Sequence, residues 1–318
     1  MMSRLGLTVS LLALVLLGLS GCGGSGPKAV FRGPQPTLEA TQAIDQSSPE
    51  APSAPETTGA TENADLRKLG KIAYVFGDDI YVANADGSNE RNLTNDGRDN
   101  DQPAWSPDGR YIAFLSWDDG DIHVMDADGS NAHKITTHAQ YGYDYPIWLP
   151  DGRLTYDGGD EDCIYVINAD GSNPHCLINS PGVELDHRLA WSPDGRSIAF
   201  ARGNIYIAGA DGSHRHALSH LDSDQGEAHH PAWSPDGRHI AFTWAPYQED
   251  SEIYVMEADG SNPRRVAEGD CDYPTWSPDG RYIAFLSGAS IWVMEADGSN
   301  QRELPRLAGT ELAWSPVP

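Results

Sequence analysis

One six-residue stretch, Trp105-Ser106-Pro107-Asp108-Gly109-Arg110, constrains this chain more than anything else, because it returns at a nearly fixed interval. Copies stand at Trp191–Arg196, Trp233–Arg238 and Trp276–Arg281; a variant, Trp148-Leu149-Pro150-Asp151-Gly152-Arg153, fills the gap, and Trp314-Ser315-Pro316 is a truncated last copy. Successive tryptophans are 43, 43, 42, 43 and 38 residues apart. A fixed period in the forties marks an array of identical supersecondary units, each too small to bury a core alone.

Every copy has the same internal order. Ser-Pro-Asp-Gly is a tight turn, with proline presetting φ and glycine accepting the left-handed position. A short run follows, such as Tyr111-Ile112-Ala113-Phe114; after a variable loop comes a second, such as Ile122-His123-Val124-Met125. Both are β-branched and aromatic and too short for helices. Ala-Asp-Gly-Ser then recurs, beginning at Ala127, Ala169, Ala210, Ala258 and Ala296, before a last short run such as His133-Lys134-Ile135-Thr136. Four strands in about 43 residues is the size of a propeller blade.

The ends of the repeat region complement each other. Residues 71–94 hold only the last three strands of a unit, and Leu312-Ala313-Trp314-Ser315-Pro316 holds only the first. Joining them makes a sixth blade and removes the open sheet edge. The expected fold is all-β: a six-bladed propeller over 67–318, closed by the C-terminal strand.

Trp-Ser-Pro-Asp-Gly-Arg, Ile-Ala-Phe and Ile-Tyr-Val-Met-x-Ala-Asp-Gly-Ser-Asn together resemble the propeller repeats of the TolB-type family of periplasmic envelope proteins, over about residues 70–318. The resemblance implies a protein-binding role in the envelope. It does not extend to the α/β domain that precedes the propeller in TolB; a low-complexity segment stands there in this chain.

Residues 1–21 read as a targeting segment. Arg4 supplies its positive start, Leu5–Leu19 is an apolar run, and Leu19-Ser20-Gly21-Cys22 resembles a bacterial lipobox. That likeness implies a lipid on Cys22 and cleavage before it, giving stable membrane anchoring. Gly23 rather than aspartate follows, which favours the outer membrane in a cell with two membranes and the outer face of the cell membrane in one with a single membrane. Residues 22–66 are rich in Gly, Pro, Ala, Ser, Thr and Glu and read as a flexible tether. Coil scaling gives it a root-mean-square span of roughly 35–40 Å.

With 47 acidic against 21 basic residues the chain carries a net charge of −26. This argues against nucleic acid or an anionic bilayer surface as partner and suits cations or a basic partner. Once Cys22 is lipidated, Cys163, Cys176 and Cys271 remain. A hairpin centred on Asp170–Asn173 leaves Cys163 and Cys176 about four residues out of register, so no disulfide is expected.

The Asp-Ala-Asp-Gly-Ser-Asn segments look superficially like calcium loops, but glycine stands fourth where an EF-hand needs it sixth, and the motif recurs wherever a hairpin turns. They read as turns. The sequence contains no Gly-x-Ser-x-Gly, no His-Glu-x-x-His and no phosphate-binding glycine loop, so binding is favoured over catalysis. What varies between repeats is the approach to each tryptophan, expected at one mouth of the channel. Four residues ahead stand Asp101, Asp144, His187, His229, Asp272 and Thr310; beside them are Gln102, Tyr145, Asp186, Arg188, His230, Tyr273 and Glu311. The candidate binding residues are Asp101, Asp144, Tyr145, Asp186, His187, Arg188, His229, His230, Asp272 and Tyr273. No cofactor is required, though a ring of Asp and His has the chemistry for a divalent cation.

The leading expectation is a monomeric, lipid-anchored envelope protein binding a protein or peptide at this mouth. The rival is a metal-dependent carbohydrate-active enzyme resembling oligogalacturonate lyases, which also use such a propeller. Its metal candidates would be His187, His229 and His230, with Asp144, Asp186 or Asp272 alongside and Arg188 meeting an acidic sugar.

Overall fold

The computed structural model describes residues 65–137, 145–157, 163–179, 189–221 and 224–316. The Cys22 lipidation site and the tether up to residue 64 lie outside the described residues. The described chain forms six four-stranded antiparallel sheets. Blade I is made of Thr310–Trp314, Lys71–Phe76, Asp79–Asn84 and Arg91–Asn92, so the C-terminal strand completes the N-terminal blade. Blade II comprises Asn100–Trp105, Tyr111–Ser116, Asp121–Asp126 and His133–Lys134. Blade III holds Ile147–Trp148, Arg153–Asp157, Cys163–Asn168 and His175–Asn179; blade IV holds Leu189–Trp191, Ser197–Arg202, Asn204–Gly209 and His216–Ala217. Blade V runs Gly226–Trp233, His239–Pro246, Glu252–Glu257 and Arg264–Ala267; blade VI runs Cys271–Trp276, Tyr282–Ser287, Ser290–Glu295 and Arg302–Ala308. The expected architecture is the observed one.

The core lies between blades rather than within them, in six apolar clusters. One joins Ile80 and Val82 of blade I to Trp105, Ile112 and Phe114 of blade II; the next joins Ala113 and Ile122 of blade II to Trp148 and Leu154 of blade III. Successive residues of a strand face opposite sides, so the Ile-Ala-Phe run turns its large side chains to the preceding blade and its alanine to the following one. Alanine there leaves space for the next blade's tryptophan. Blade III has Thr155 at this position, and the Trp191 indole N–H donates to its hydroxyl at 3.1 Å. In blades III, V and VI the indole reaches a backbone carbonyl of the preceding blade's first strand: Trp148 to Ala104 at 3.0 Å, Trp233 to Ala190 at 3.2 Å and Trp276 to Ala232 at 3.1 Å. The repeated tryptophan therefore pins blade to blade.

Both repeated turns lie on one face, called the lower face here. In Ser-Pro-Asp-Gly, Ser106 Oγ donates to Asp108 Oδ1 at 2.7 Å and accepts the Tyr111 N–H at 2.9 Å. In Ala-Asp-Gly-Ser the glycine has a second duty. A Cβ on Gly129 would stand 3.0 Å from Leu93 O, on Gly171 2.9 Å from Ile135 O, on Gly260 2.3 Å from Leu218 O and on Gly298 2.7 Å from Val266 O. Each turn thus rests on the outer strand region of the preceding blade. Gly87 of blade I does so against Pro305 of blade VI, at 3.4 Å, which closes the ring at its outer edge as well as its inner one.

Leu66, assigned to the tether on sequence, is fully buried with Trp314 and Leu304, and the Trp314 indole donates to Leu69 O at 2.8 Å. The chain therefore enters the propeller at the lower face.

The expectation about cysteines is corrected: Cys163 and Cys176 form a disulfide, with Cα atoms 5.9 Å apart. The strands do not pair symmetrically about Asp170–Asn173. Tyr165 stands opposite Cys176 while Cys163 stands opposite Asn179, with a register slip between Ile164 and Tyr165. That slip and the asymmetric turn draw the cysteines to a short diagonal, within disulfide reach. Cys271 is a buried free thiol.

Candidate functional site

The first strands line a central channel, and those of blades I, II, V and VI depart from regular pairing just before their upper ends. Register slips fall between Asp101 and Ala104, His229 and Ala232, Asp272 and Thr275, and Thr310 and Leu312. Within each irregularity the residue three before the tryptophan is left-handed: Gln102 at φ 57°, His230 at 49°, Tyr273 at 55° and Glu311 at 46°. Non-glycine residues seldom adopt this conformation, and those preceding proline, as Gln102, His230 and Tyr273 do, are restricted further. Such strain costs on the order of 1–3 kcal/mol per residue and persists only where neighbours enforce it.

The neighbours are visible. Asp101 Oδ1 accepts the Gln102 N–H at 2.9 Å, and Asp272 Oδ1 accepts the Tyr273 N–H at 2.8 Å. The aspartate four before the tryptophan fixes the backbone of the next residue, whose side chain then turns to the axis. The result is a pocket of about 160 Å³ at the upper mouth, lined by Gln102, Tyr145, His230, Tyr273 and Glu311 from five blades. Tyr145 Oη and Tyr273 Oη each lie 3.5 Å from Glu311 Oε1. The imidazole of His230 stacks on Tyr273, with centroids 4.1 Å apart, and its Nδ1 is 2.5 Å from Asp272 Oδ1. The same oxygen accepts from Thr243 Oγ1 at 2.8 Å. Burial raises the Asp272 pKa, but the His230 hydrogen bond and charge, with the Thr243 and Tyr273 donors, outweigh it and hold the carboxyl below its ordinary value.

Of the sequence candidates, Tyr145, His230 and Tyr273 line this pocket, and Asp101 and Asp272 stand behind it as supports. His229 points elsewhere, its Nε2 3.7 Å from Glu227 Oε2, with its ring centroid 6.0 Å from that of His230. Asp144, Asp186, His187 and Arg188 lie outside the described residues. Gln102 and Glu311, which the sequence marks only as flanking, are full members of the lining; the signal for Gln102 was its place between an aspartate and a proline. Among the described residues no group of three or more His, Cys, Asp or Glu side chains is arranged to hold a metal.

Below this pocket the channel widens into a chamber of about 450 Å³ walled by the six repeated tryptophans and the prolines of their turns. Polar side chains thus guard the upper mouth and apolar ones the lower.

Comparison with known proteins agrees with the propeller fold. The family model described as the TolB beta propeller domain matches residues 145–318. The structure of TolB from Acinetobacter baumannii superposes with a TM-score of 0.67 at 22% identity, over 78% of this chain and 67% of that one. A protein given as TolB from Agrobacterium tumefaciens superposes with a TM-score of 0.56 at 23% identity, over 68% of this chain and 83% of that one. A chain of the nidogen/laminin complex reaches 0.61 at 12% identity, over 78% and 99%. At these identities the structures share the fold. No curated protein matches the sequence.

Proposed function

Because the chain belongs to the TolB β-propeller family, we propose that it is an exported envelope protein, anchored by lipid on Cys22, whose upper mouth binds a protein or peptide segment. The observation that carries this reading is the convergence of five side chains from five blades on one axial pocket, four of them held in left-handed backbone. Strain repeated at one structural position, and supported by dedicated aspartates, points to a site rather than to packing. Loops and strand ends on a rigid scaffold are where binding residues collect.

Three features support the cellular setting. The lipobox-like Leu19-Ser20-Gly21-Cys22 supplies the anchor, and Gly23 favours the outer membrane where there are two. The Cys163–Cys176 disulfide suits an oxidising compartment. The tether joins the propeller at the lower face, beside Trp314 and Ser315, which leaves the polar mouth on the opposite face.

Crosslinking and pull-down from membranes, comparing wild type with the double variant His230→Ala/Tyr273→Ala at the pocket lining, tests the reading. The expected result is a partner recovered by wild type and lost by the variant. Identical recovery, or none with either protein, contradicts it.

A further inference from the structure

The upper rim between blades I and II carries a feature of its own. Segment 99–101 is clamped between two hairpin tips: the Asn100 N–H donates to Asp78 O at 2.9 Å, and the Trp117 N–H donates to Asp99 O at 2.8 Å. Four carboxylates gather there, Asp78, Asp99, Asp101 and Asp118, and no described cationic side chain forms an ion pair with any of them. The nearby Arg98 is occupied by Asp96 and Asp119. Two large apolar side chains border the acidic group and face solvent, Phe76 at 53% exposure and Trp117 at 41%.

Asp101 connects this rim to the axial pocket. One of its oxygens accepts from the Trp117 indole at 3.3 Å and the other holds the backbone of Gln102. Gln102 is only 5% exposed and lines the pocket, and its Oε1 has no hydrogen-bond partner. A buried amide left incomplete at the pocket wall calls for a polar group from outside.

We infer that the rim of blades I and II, running into the pocket at Gln102, docks a basic, arginine- or lysine-bearing segment of the partner, a conclusion that rests on the binding reading above. Unpaired carboxylates at a protein surface are complemented by cations, and guanidinium groups also stack on exposed aromatic faces. Like-charge crowding at this rim is visible in Asp99: burial, then Asp78, Asp101 and Asp118, push its carboxyl up from the ordinary value. A bound cation would relieve that crowding.

The probe is a fluorescein-labelled octapeptide of alternating alanine and arginine, with an alanine–glutamate peptide as control, read by anisotropy at 0.15 M salt. Three proteins are compared: wild type, the rim variant Asp78→Asn/Asp99→Asn/Asp118→Asn, and a charge-matched variant Glu249→Gln/Asp250→Asn/Glu257→Gln across the ring. Thermal melts confirm that each is folded. The expected result is binding of the arginine peptide alone, weakened at least tenfold in the rim variant and less than twofold in the charge-matched one. Equal weakening in both variants, or none in the rim variant, overturns the inference, since the attraction is then the chain's overall charge. A membrane partner lost with Tyr273→Ala but kept by the rim variant also overturns it, while leaving the binding reading in place.

Discussion

His230 Nδ1 lies 2.5 Å from Asp272 Oδ1, so the first strands of blades V and VI are joined at the mouth by a partly buried imidazole–carboxylate contact. The carboxyl of Asp272 is held below its ordinary value in the fold, so its contribution to stability is present above the unfolded aspartate value of about 4. It fades as pH falls through the lower, folded value. Asp272→Asn should therefore melt lower than wild type at pH 7, by an amount corresponding to about 1–3 kcal/mol for a lost charge-assisted bond. From pH of about 4 downward the two melting curves should draw together, meeting only below the lower, folded value of Asp272. Melting temperatures measured between pH 3 and pH 7 check this; curves that stay parallel throughout contradict it.

The lower-face turns allow a sharper contrast between two glycines of equal backbone class. Gly260 and Gly152 both have positive φ, at 83° and 85°, but a Cβ on Gly260 would stand 2.3 Å from Leu218 O while one on Gly152 meets nothing within 4 Å. Gly152→Ala should cost only the conformational penalty, about 1 kcal/mol. Gly260→Ala must also push blades IV and V apart, and should cost about 3 kcal/mol or more, the range of overpacked sites. Denaturant unfolding of both variants provides the comparison, and equal losses would remove the packing role assigned to Ala-Asp-Gly-Ser.

Much of this was legible in advance, for a physical reason. A repeat writes its turns and its strand alternation six times, so the signals of Ser-Pro-Asp-Gly and Ile-Ala-Phe reinforce one another, and the split blade followed from counting. The site was less legible. That the residue before the proline turns inward while Asp101 and Asp272 turn back to hold it depends on a register slip, and side-chain period alone does not announce one. The disulfide was missed for the same reason: a slip at Ile164 and an asymmetric turn moved Cys176 along the strand. The exchange of alanine for Thr155, which gives the Trp191 indole its partner, likewise needs the neighbouring blade in view.

The Cys163–Cys176 bond spans 13 residues, and cross-linking a loop of that size stabilises a fold by roughly 3 kcal/mol in the chain-entropy account. Cys176→Ser should lower the melting temperature by several degrees. Non-reducing peptide mapping should recover Cys163 and Cys176 in one linked fragment, with Cys271 free. A fragment linking Cys271 to either one would contradict the pairing.

Ring closure depends on the last strand. Trp314 is 5% exposed, its indole donates to Leu69 O, and Ile72, Ala73 and Tyr74 pair with the strand that carries it. Trp314→Ala should cost about 3–5 kcal/mol, as buried aromatic truncations do. Removal of residues 308–318 should broaden the unfolding transition, with blade I left incomplete. A truncated protein that melts as sharply and at the same temperature as the full chain would refute closure by this strand.

Site-specific photo-crosslinking in cells that express the full chain addresses the functional claim most directly. A photoreactive phenylalanine is placed at Tyr273, in the upper pocket, or at Tyr111, which lines a cleft on the lower face. The predicted result is one defined envelope protein crosslinked from position 273 and not from position 111. Adducts from position 111 alone, or none from either position, would contradict a partner bound at the upper mouth.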